Sequence, residues 1–182
     1  MGGADKALLA LAGKTLVAQA VARLEPQVER LAVSANGDAV RFDWLGLPVL
    51  RDDVSKGPLS GILAALDWAA PLGATAVVTA AVDCPFFPGD LVPQLCLAAE
   101  TAPEGVALAR SGGDDHPTVG LWPVGLRDSL RAFLAGDEKA RVRGFADAHH
   151  AARADFPENG SFMNLNTPED LKIAEDMIRG KA

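Results

Sequence analysis

The chain has 182 residues, of which 49% are hydrophobic and 23% are charged, and this composition excludes intrinsic disorder and predicts one globular domain over 1–182. Its 24 acidic residues outnumber the 17 basic residues, so the overall charge is unfavourable for binding nucleic acid or an anionic membrane. Two cysteines without metal-ligand spacing, no signal pattern and no apolar run long enough for a membrane span predict a cytoplasmic protein that acts on a small molecule.

Hydrophobic periodicity predicts that helices and strands alternate through the first hundred residues. Residues 74–82 are continuously apolar or small, which is typical of a central strand covered on both faces. The predicted elements are, in chain order, helix 14–24, strands 30–36 and 47–53, helix 57–70, strand 74–82 and helix 88–99. This order predicts right-handed β-α-β units, a mostly parallel sheet and a three-layer α/β/α sandwich.

A β-hairpin is predicted at the start of the second half of the chain, because a polar turn that contains glycines joins the first two strands there. The elements here are strands 104–110 and 116–124, helix 125–136, a weaker helix over 139–150, and a short strand and a helix within 160–178. Thr167 followed by Pro168 predicts the capped start of the last helix.

Four polar side chains follow predicted strands at their carboxyl ends, where α/β sheets bind ligands. They are Asn36, Asp52, Asp53 and Asp83. Asp83 directly follows the central strand and could hold Mg²⁺, which favours one or two carboxylates together with substrate phosphates. The alternative is that Asp83 caps the turn before Pro85, and the sequence position alone favours neither.

Gly2 and Gly3 ahead of Lys6 suit a loop whose backbone approaches phosphate oxygens while a cation neutralises them. The alternative is an exposed N-terminal turn. Gly57 before Pro58 is a second glycine-rich helix start, which could hold an anion or allow close packing against the sheet.

Asn164 and Asn166 are two residues apart in the predicted short strand, so their amides are expected on one face. There they could recognise the edge of a heterocycle, or bond to each other or to the backbone. His116 stands alone at the start of a strand, which favours a structural role, and His149 with His150 has no third ligand for zinc. Motifs for covalent catalysis are absent, so the residues favour phosphate and metal chemistry.

Seven motifs, taken in chain order, resemble those of the molybdenum cofactor guanylyltransferases. They are "MGGADKALL", "SAN", "PVLRDD", "GPLSGILAAL", "VDCPFFPGDLV", "HPTVGL" and "FMNLNTPEDL". The resemblance covers almost the whole chain and implies the nucleotide-diphospho-sugar transferase fold, a Rossmann-like sandwich. It implies transfer of GMP from GTP to the terminal phosphate of molybdopterin or molybdenum cofactor, with pyrophosphate released. The nucleotide-binding part would be about 1–100 and the pterin-acceptor part about 101–182.

The resemblance also implies roles for individual residues. Lys6 matches a phosphate-binding lysine and Asp83 the acid that binds Mg²⁺, and both would be catalytic. Asn164 and Asn166 match asparagines on the side that receives the pterin, whereas His116 belongs to a motif without an assigned role. The other implied nucleotide contacts are Gly2, Gly3, Asn36, Asp52 and Gly57, with Asp53 as the alternative to Asp52 for the acid that contacts the nucleotide. Implied protein partners are those that supply the pterin and those that mature molybdoenzymes.

The first motif of this family usually starts with a strand, Leu-Ala-Gly-Gly and an arginine, and the sequence resembles only its second half, from Met1. We expect that the sequence is truncated or its start mis-assigned, since a natural loss would put activity in doubt. Three alternatives stay open: CMP transfer to molybdopterin, which "GGADK" and "NLNTPEDL" disfavour; a sugar-phosphate nucleotidyltransferase, which the size disfavours; and a non-catalytic nucleotide-binding homologue.

Overall fold

The computed structural model describes residues 5–52, 57–136 and 141–180. The helices are α1 (Leu16–Leu24), α2 (Pro58–Ala69), α3 (Leu91–Ala99), α4 (Arg127–Gly136), α5 (Val142–Ala148) and α6 (Pro168–Ile178). The strands are β1 (Ala10–Leu11), β2 (Lys14–Thr15), β3 (Val33–Ser34), β4 (Val49–Leu50), β5 (Ala76–Thr79), β6 (Ala107–Ser111), β7 (Asp114–Pro123) and β8 (Ala152–Phe156). Short 3-10 segments include Lys6–Leu8 and Ala39–Leu45. Within the described ranges, every helix is too short or too polar to cross a membrane.

A four-stranded sheet of order β5-β7-β6-β8 forms the centre of the fold. β7 is antiparallel to β5 and β6, which confirms the predicted hairpin, and β8 is parallel to β6. β3 and β4 form a separate parallel pair, and β1 and β2 a small antiparallel hairpin. The described strands are therefore mixed in direction rather than mostly parallel, because the turn at Gly112–Gly113 joins β6 directly to its neighbour β7.

Helices cover both faces of the central sheet, so the predicted three-layer α/β/α sandwich is confirmed. On one face, α2, α4 and α5 pack against strand residues such as Leu108 and Trp122. On the other face, α1 and α3 pack against the adjacent positions, such as Ala107 and Leu121. Successive strand residues point to opposite faces, and each face buries its own hydrophobic cluster.

The sequence correctly predicts the starts of two helices. Gly57 precedes α2 with φ of 73°, a left-handed conformation that favours glycine, and Pro58 occupies the first turn. At α6, the Thr167 hydroxyl accepts from the Asp170 N–H at 3.1 Å, and the Asp170 carboxylate accepts from the Thr167 N–H at 2.7 Å. Backbone N–H groups of Asn166 and Thr167 hold the pKa of Asp170 below its usual value. This reciprocal capping fixes the direction in which the chain enters α6.

The segment before α6 is not the strand that the sequence predicts. Residues 161–166 form a loop in which Phe162 and Leu165 are buried and Asn164 is exposed. Buried side chains three residues apart do not follow the period of two that a strand requires. The loop is fixed by a hydrogen bond from the Leu165 N–H to the Asp83 carbonyl, at 2.8 Å. A strand that the sequence does not predict, β8, pairs with β6.

The predicted strands 30–36, 47–53 and 74–82 are present in shortened form as β3, β4 and β5. The four residues of β5 are all only half-buried, although the sequence predicts a strand covered on both faces. The edge of β5 that faces away from β7 borders a cavity, which accounts for this exposure.

Gly120 of β7 lies where a side chain does not fit. A Cβ there would come within 2.8 Å of the Ala107 carbonyl oxygen and of Leu108 Cδ2. We expect Gly120→Ala to lower the free energy of unfolding by about 1–3 kcal/mol, because the backbone of β6 has to move. Gly125→Ala is the matched control, since a Cβ meets nothing within 4 Å there. Urea titrations followed by circular dichroism compare the two variants, and equal stabilities would contradict the expectation.

Candidate functional site

Lys6 and Asp83 form an ion pair just beyond the carboxyl end of β5. Lys6 Nζ lies 3.1 Å from Asp83 Oδ2, and the two side chains are 34% and 25% exposed. The Lys6 ammonium group also donates to Asn166 Oδ1. Three residues that are far apart in the sequence therefore meet at one ammonium group that a ligand can reach.

A short 3-10 turn holds Lys6 in this position. One oxygen of the Asp5 carboxylate accepts from the Ala7 N–H at 3.1 Å, which caps the turn Lys6–Leu8. The other oxygen pairs with Arg41 Nε at 2.5 Å. Asp5 therefore anchors the start of the turn to the segment Ala39–Leu45, and the lysine that follows is held over the sheet edge.

The surroundings of Asp83 favour its interpretation as a ligand-binding residue over its interpretation as a turn cap. The turn is closed by its own backbone, because the Cys84 N–H donates to the Ala81 carbonyl at 3.1 Å. Within the described part of the chain, the Asp83 carboxylate accepts from Lys6. The carboxylate thus faces a cation at the sheet edge rather than the backbone of the turn.

Asn36 and Asp52 form a second polar pair, at the carboxyl ends of the parallel strands β3 and β4. Asn36 Nδ2 donates to Asp52 Oδ2 at 3.0 Å, and the Asp52 N–H donates to Asn36 Oδ1 at 3.3 Å. Asn36, Asp52, Gly57 and Asp83 all line one large cavity. The structure therefore brings four of the predicted nucleotide-binding residues to the same cavity.

Three predicted site residues, Gly2, Gly3 and Asp53, lie outside the described residues. Their proposed roles stay predictions.

The sequence does not predict a role in the site for Arg41, which links the two polar pairs. Besides binding Asp5, its guanidinium group donates to the Asn36 carbonyl at 2.6 Å and to the Asp38 carbonyl. The segment Ala39–Leu45 is a 3-10 helix, whose spacing fits neither the α-helical nor the strand periodicity. An arginine three residues after an N-capping aspartate was the one available signal, and it does not point to a ligand site by itself.

Asn164 and Asn166 do not face the same group, contrary to the prediction. Asn166 binds Lys6, whereas Asn164 Oδ1 accepts from the thiol of Cys84 at 3.0 Å. Burial and the neighbouring negative charge of Asp83 raise the pKa of Cys84 to about 12, although Lys6 acts in the opposite direction. Cys84 therefore remains a neutral thiol that fixes the loop beside the site.

His116 packs against the same loop, since its ring stacks on Phe162 at 4.5 Å between centroids. Its Nε2 atom is buried and has no hydrogen-bond partner among the described residues. Burial holds the pKa of His116 below its usual value. His116 is therefore a neutral aromatic ring in the packing of this loop.

The neighbouring Asp115 is also buried, with 2% of its side chain exposed. Burial alone would raise the pKa of Asp115, but hydrogen bonds from Arg110 and Arg153 outweigh this effect and lower it.

His149 and His150, like His116, are not among the residues that line the cavity. His149 contacts Ser129 through Nε2 and Glu104 through Nδ1, each at 2.9 Å. Among residues 5–52, 57–136 and 141–180, no group of three or more histidine, cysteine, aspartate or glutamate side chains is placed to hold a metal ion.

Two solved structures have a similar fold. The 2-C-methyl-D-erythritol 4-phosphate cytidylyltransferase of Thermus thermophilus matches with a TM-score of 0.66 and 20% identity, over 96% of this chain and 94% of that chain. Molybdopterin-guanine dinucleotide biosynthesis protein A of Archaeoglobus fulgidus matches with a TM-score of 0.74 and 23% identity, over 98% of this chain and 92% of that chain. The fold is therefore the Rossmann-like sandwich of the nucleotidyltransferases.

Residues 1–152 match the model of the MobA-like NTP transferase domain, and the chain belongs to this family. It is 58% identical to the molybdenum cofactor guanylyltransferase of Cereibacter sphaeroides over 182 residues, which are 100% of this chain and 92% of the relative. The enzyme of the same name from Mesorhizobium japonicum is 46% identical, over 98% of this chain and 90% of the relative. The resemblance carried by the seven motifs is confirmed, and the chain is a nucleotidyltransferase.

The environment of Cys84 predicts a difference in reactivity between the two cysteines. With its pKa raised to about 12, buried Cys84 carries almost no thiolate at about pH 8, whereas Cys96 is exposed. We expect Ellman's reagent to label Cys96 in the native protein and to label Cys84 only in denaturant. The variant Cys96→Ser should be unreactive until it is unfolded, and rapid labelling of this variant in its native state would contradict the expectation.

Proposed function

We propose that the chain transfers GMP from GTP to the terminal phosphate of molybdopterin, or of molybdenum cofactor, and releases pyrophosphate. The observation that carries this proposal is the contact of Lys6 with Asp83 and Asn166 at the carboxyl end of β5. Ligands of open α/β sheets bind at this end. Relatives that are 58% and 46% identical bear the name of this activity, which supports the same reaction here.

Asp83 is the proposed protein ligand of Mg²⁺. One partly exposed carboxylate at a sheet edge suits this ion, because Mg²⁺ takes most of its other ligands from substrate phosphates and water. The bound ion would neutralise charge on the phosphates of GTP. The carboxylate already lies beside Lys6, so the site combines one acidic and one basic group for a polyanionic substrate.

The reaction needs positioning and charge neutralisation more than proton transfer. A terminal phosphate oxygen of the pterin forms a bond to the α-phosphorus of GTP, and the bond from that phosphorus to the pyrophosphate oxygen breaks. The attacking phosphate is largely ionised at neutral pH because its second pKa is about 6, so no general base is required. Lys6 holds its ammonium group where it can stabilise the negative charge that grows on pyrophosphate.

Asn36 and Asp52 are the proposed contacts to the nucleoside part of GTP. Their two mutual hydrogen bonds orient the Asp52 carboxylate before a ligand arrives, and a preoriented group loses less entropy on binding. Gly57, which lines the same cavity, offers backbone at the start of α2. The remaining proposed nucleotide contacts are Gly2, Gly3 and Asp53.

Asn166 and Asn164 are the proposed link to the pterin substrate. Asn166 binds the same ammonium group as Asp83, so an acceptor bound near this loop would lie beside the phosphates. Within one domain, about 1–100 would bind the nucleotide and about 101–182 the acceptor. We place the enzyme in the cytoplasm, where it would receive pterin from one protein and pass the dinucleotide to proteins that mature molybdoenzymes.

Nucleotide selectivity tests this function directly. In calorimetric titrations with Mg²⁺ present, we expect GTP to bind about tenfold or more tightly than CTP or ATP, and Asp83→Asn to abolish most of the Mg²⁺-dependent part of the affinity. Asp128→Asn is the control, because that side chain is 82% exposed and lies on α4. Equal affinities for the three nucleotides, with no effect of Asp83→Asn, would contradict the proposal.

Removal of the Lys6 charge tests its catalytic role. We expect Lys6→Met to lower kcat by about a hundredfold or more, because an uncharged side chain cannot stabilise the departing pyrophosphate. Lys14→Met is the matched control, since Lys14 is an exposed lysine on β2. Pyrophosphate release from GTP with molybdopterin as acceptor measures both variants, and an unchanged kcat for Lys6→Met would exclude this role.

A further inference from the structure

Arg41 lies between β3 and β4, on the 3-10 helix Ala39–Leu45. This helix is anchored by Phe42, which is 1% exposed and packs with Ala7 and Val33 in one hydrophobic cluster. The guanidinium carbon of Arg41 lies 4.6 Å from the centre of the Phe42 ring, a distance at which a cation and an aromatic ring attract each other. The guanidinium group is therefore fixed by packing without a ligand.

Each nitrogen atom of this guanidinium group donates to a different residue. Nε binds Asp5 Oδ2 at 2.5 Å, Nη2 donates to the Asn36 carbonyl at 2.6 Å, and Nη1 donates to the Asp38 carbonyl. A guanidinium group is planar and directs its donors at fixed angles. A single rigid group therefore sets the positions of the three acceptors relative to one another.

The three acceptors belong to two separate segments of the candidate site. Asp5 caps the turn that carries Lys6, with its other carboxylate oxygen. Asn36 forms the hydrogen-bonded pair with Asp52. Arg41 thus connects the residue that is proposed to neutralise the phosphates with the pair that is proposed to bind the nucleoside.

The loop after β3 is shaped to receive the guanidinium group. Gly37 has φ of 82°, a left-handed conformation that favours glycine. The residues on either side of it, Asn36 and Asp38, direct their carbonyl oxygens at the same guanidinium group. Two carbonyl groups and the Asp5 carboxylate therefore form a cation site that the chain fills with its own arginine.

The guanidinium group acts through other residues rather than on a ligand. Among the described residues, Asn36 and Asp52 line the large cavity, whereas Arg41 does not. A nucleotide bound in the cavity would contact the residues that Arg41 holds and not Arg41 itself. Because the same group binds both segments, a shift of one segment changes the position of the other.

We propose that Arg41 is a positioning residue that couples the two parts of the nucleotide site. It holds Lys6 at a fixed distance from the Asn36–Asp52 pair, so that the phosphates and the nucleoside of one GTP molecule are bound together. This inference rests on the proposed function, because it needs a nucleotide that reaches both segments. If Arg41 stabilised only the fold, a folded variant would keep the nucleotide preferences of the unsubstituted protein.

Two ratios of affinity, measured by calorimetric titration with Mg²⁺ present, test the coupling. The Kd of GMP divided by the Kd of GTP reports the contribution of the outer phosphates, and the Kd of ATP divided by the Kd of GTP reports recognition of the base. We expect Arg41→Met to lower both ratios about fivefold or more, because hydrogen bonds to charged groups on both segments are lost. Lys6→Met should lower only the first ratio, and Asn36→Ala only the second.

Arg131→Met is the matched control for this experiment. Arg131 of α4 also joins two elements through an ion pair, with Asp67 of α2 at 2.7 Å, and these two described residues do not line the cavity. Both ratios should stay unchanged in this variant. Unchanged ratios in folded Arg41→Met would overturn the inference while the proposed function stands. If the unsubstituted protein does not prefer GTP to ATP, the proposed function fails and the inference fails with it.

Addition of guanidinium ion tests the position of the group directly. Arg41→Ala removes the side chain from a site formed by the Asp5 carboxylate and the carbonyl groups of Asn36 and Asp38. We expect guanidinium chloride, at concentrations far below those that unfold the protein, to restore part of both ratios. Sodium chloride at equal ionic strength, and urea, which has the same planar shape without the charge, should not. If guanidinium raises the Tm and restores neither ratio, Arg41 stabilises only the fold and the inference is wrong.

Arg41→Lys replaces these variants if neither of them folds. Lysine keeps the positive charge but has one nitrogen atom, which cannot bind three acceptors in the directions that the guanidinium group sets. We therefore expect Arg41→Lys to lower at least one of the two ratios. If both ratios equal those of the unsubstituted protein, the coupling does not depend on the guanidinium group and the inference is wrong.

Discussion

The pairing of β7 along both of its edges is the constraint on which the fold depends. Through β5 it fixes the position from which Asp83 extends, and through β6 it fixes β8 and the helices of the second half. Gly120 makes this arrangement possible because β6 passes too close for a side chain. The backbone ladder therefore joins the half proposed to bind nucleotide to the half proposed to bind the acceptor, with no need for a separate interface.

Local signals in the sequence predict much of the fold. Gly57 and Pro58 mark the start of α2, Thr167 marks α6, and the glycine turn marks the hairpin, because each depends on neighbours in sequence. The failures involve partners that are distant in sequence. The pattern of residues 161–166 predicts a strand, yet Leu165 is held by the Asp83 carbonyl. The strand β8 has few local features and exists because β6 offers it an edge.

The candidate site shows the same division. Lys6, Asp83 and Asn36 are predicted individually, from glycines, from the ends of apolar runs and from the family resemblance. Their contacts could not be predicted, because spacing does not say that Lys6 binds Asp83 and Asn166 together. The contribution of Arg41 depends on a 3-10 segment that brings its guanidinium group to Asp5. The sequence can thus predict the residues of such a site without showing which of them accept hydrogen bonds from the same side chain.

The ion pair at Lys6 also has a consequence for the order of folding. The two partners of Lys6, Asp83 and Asn166, are 77 and 160 residues away along the chain, and contacts that close such long loops have a large entropic cost. We therefore expect the site to assemble after the sheet, when the loop before α6 docks. By the same reasoning, detachment of this terminal segment would disassemble the site while the sheet persists, and we expect activity to be lost at a lower temperature than secondary structure.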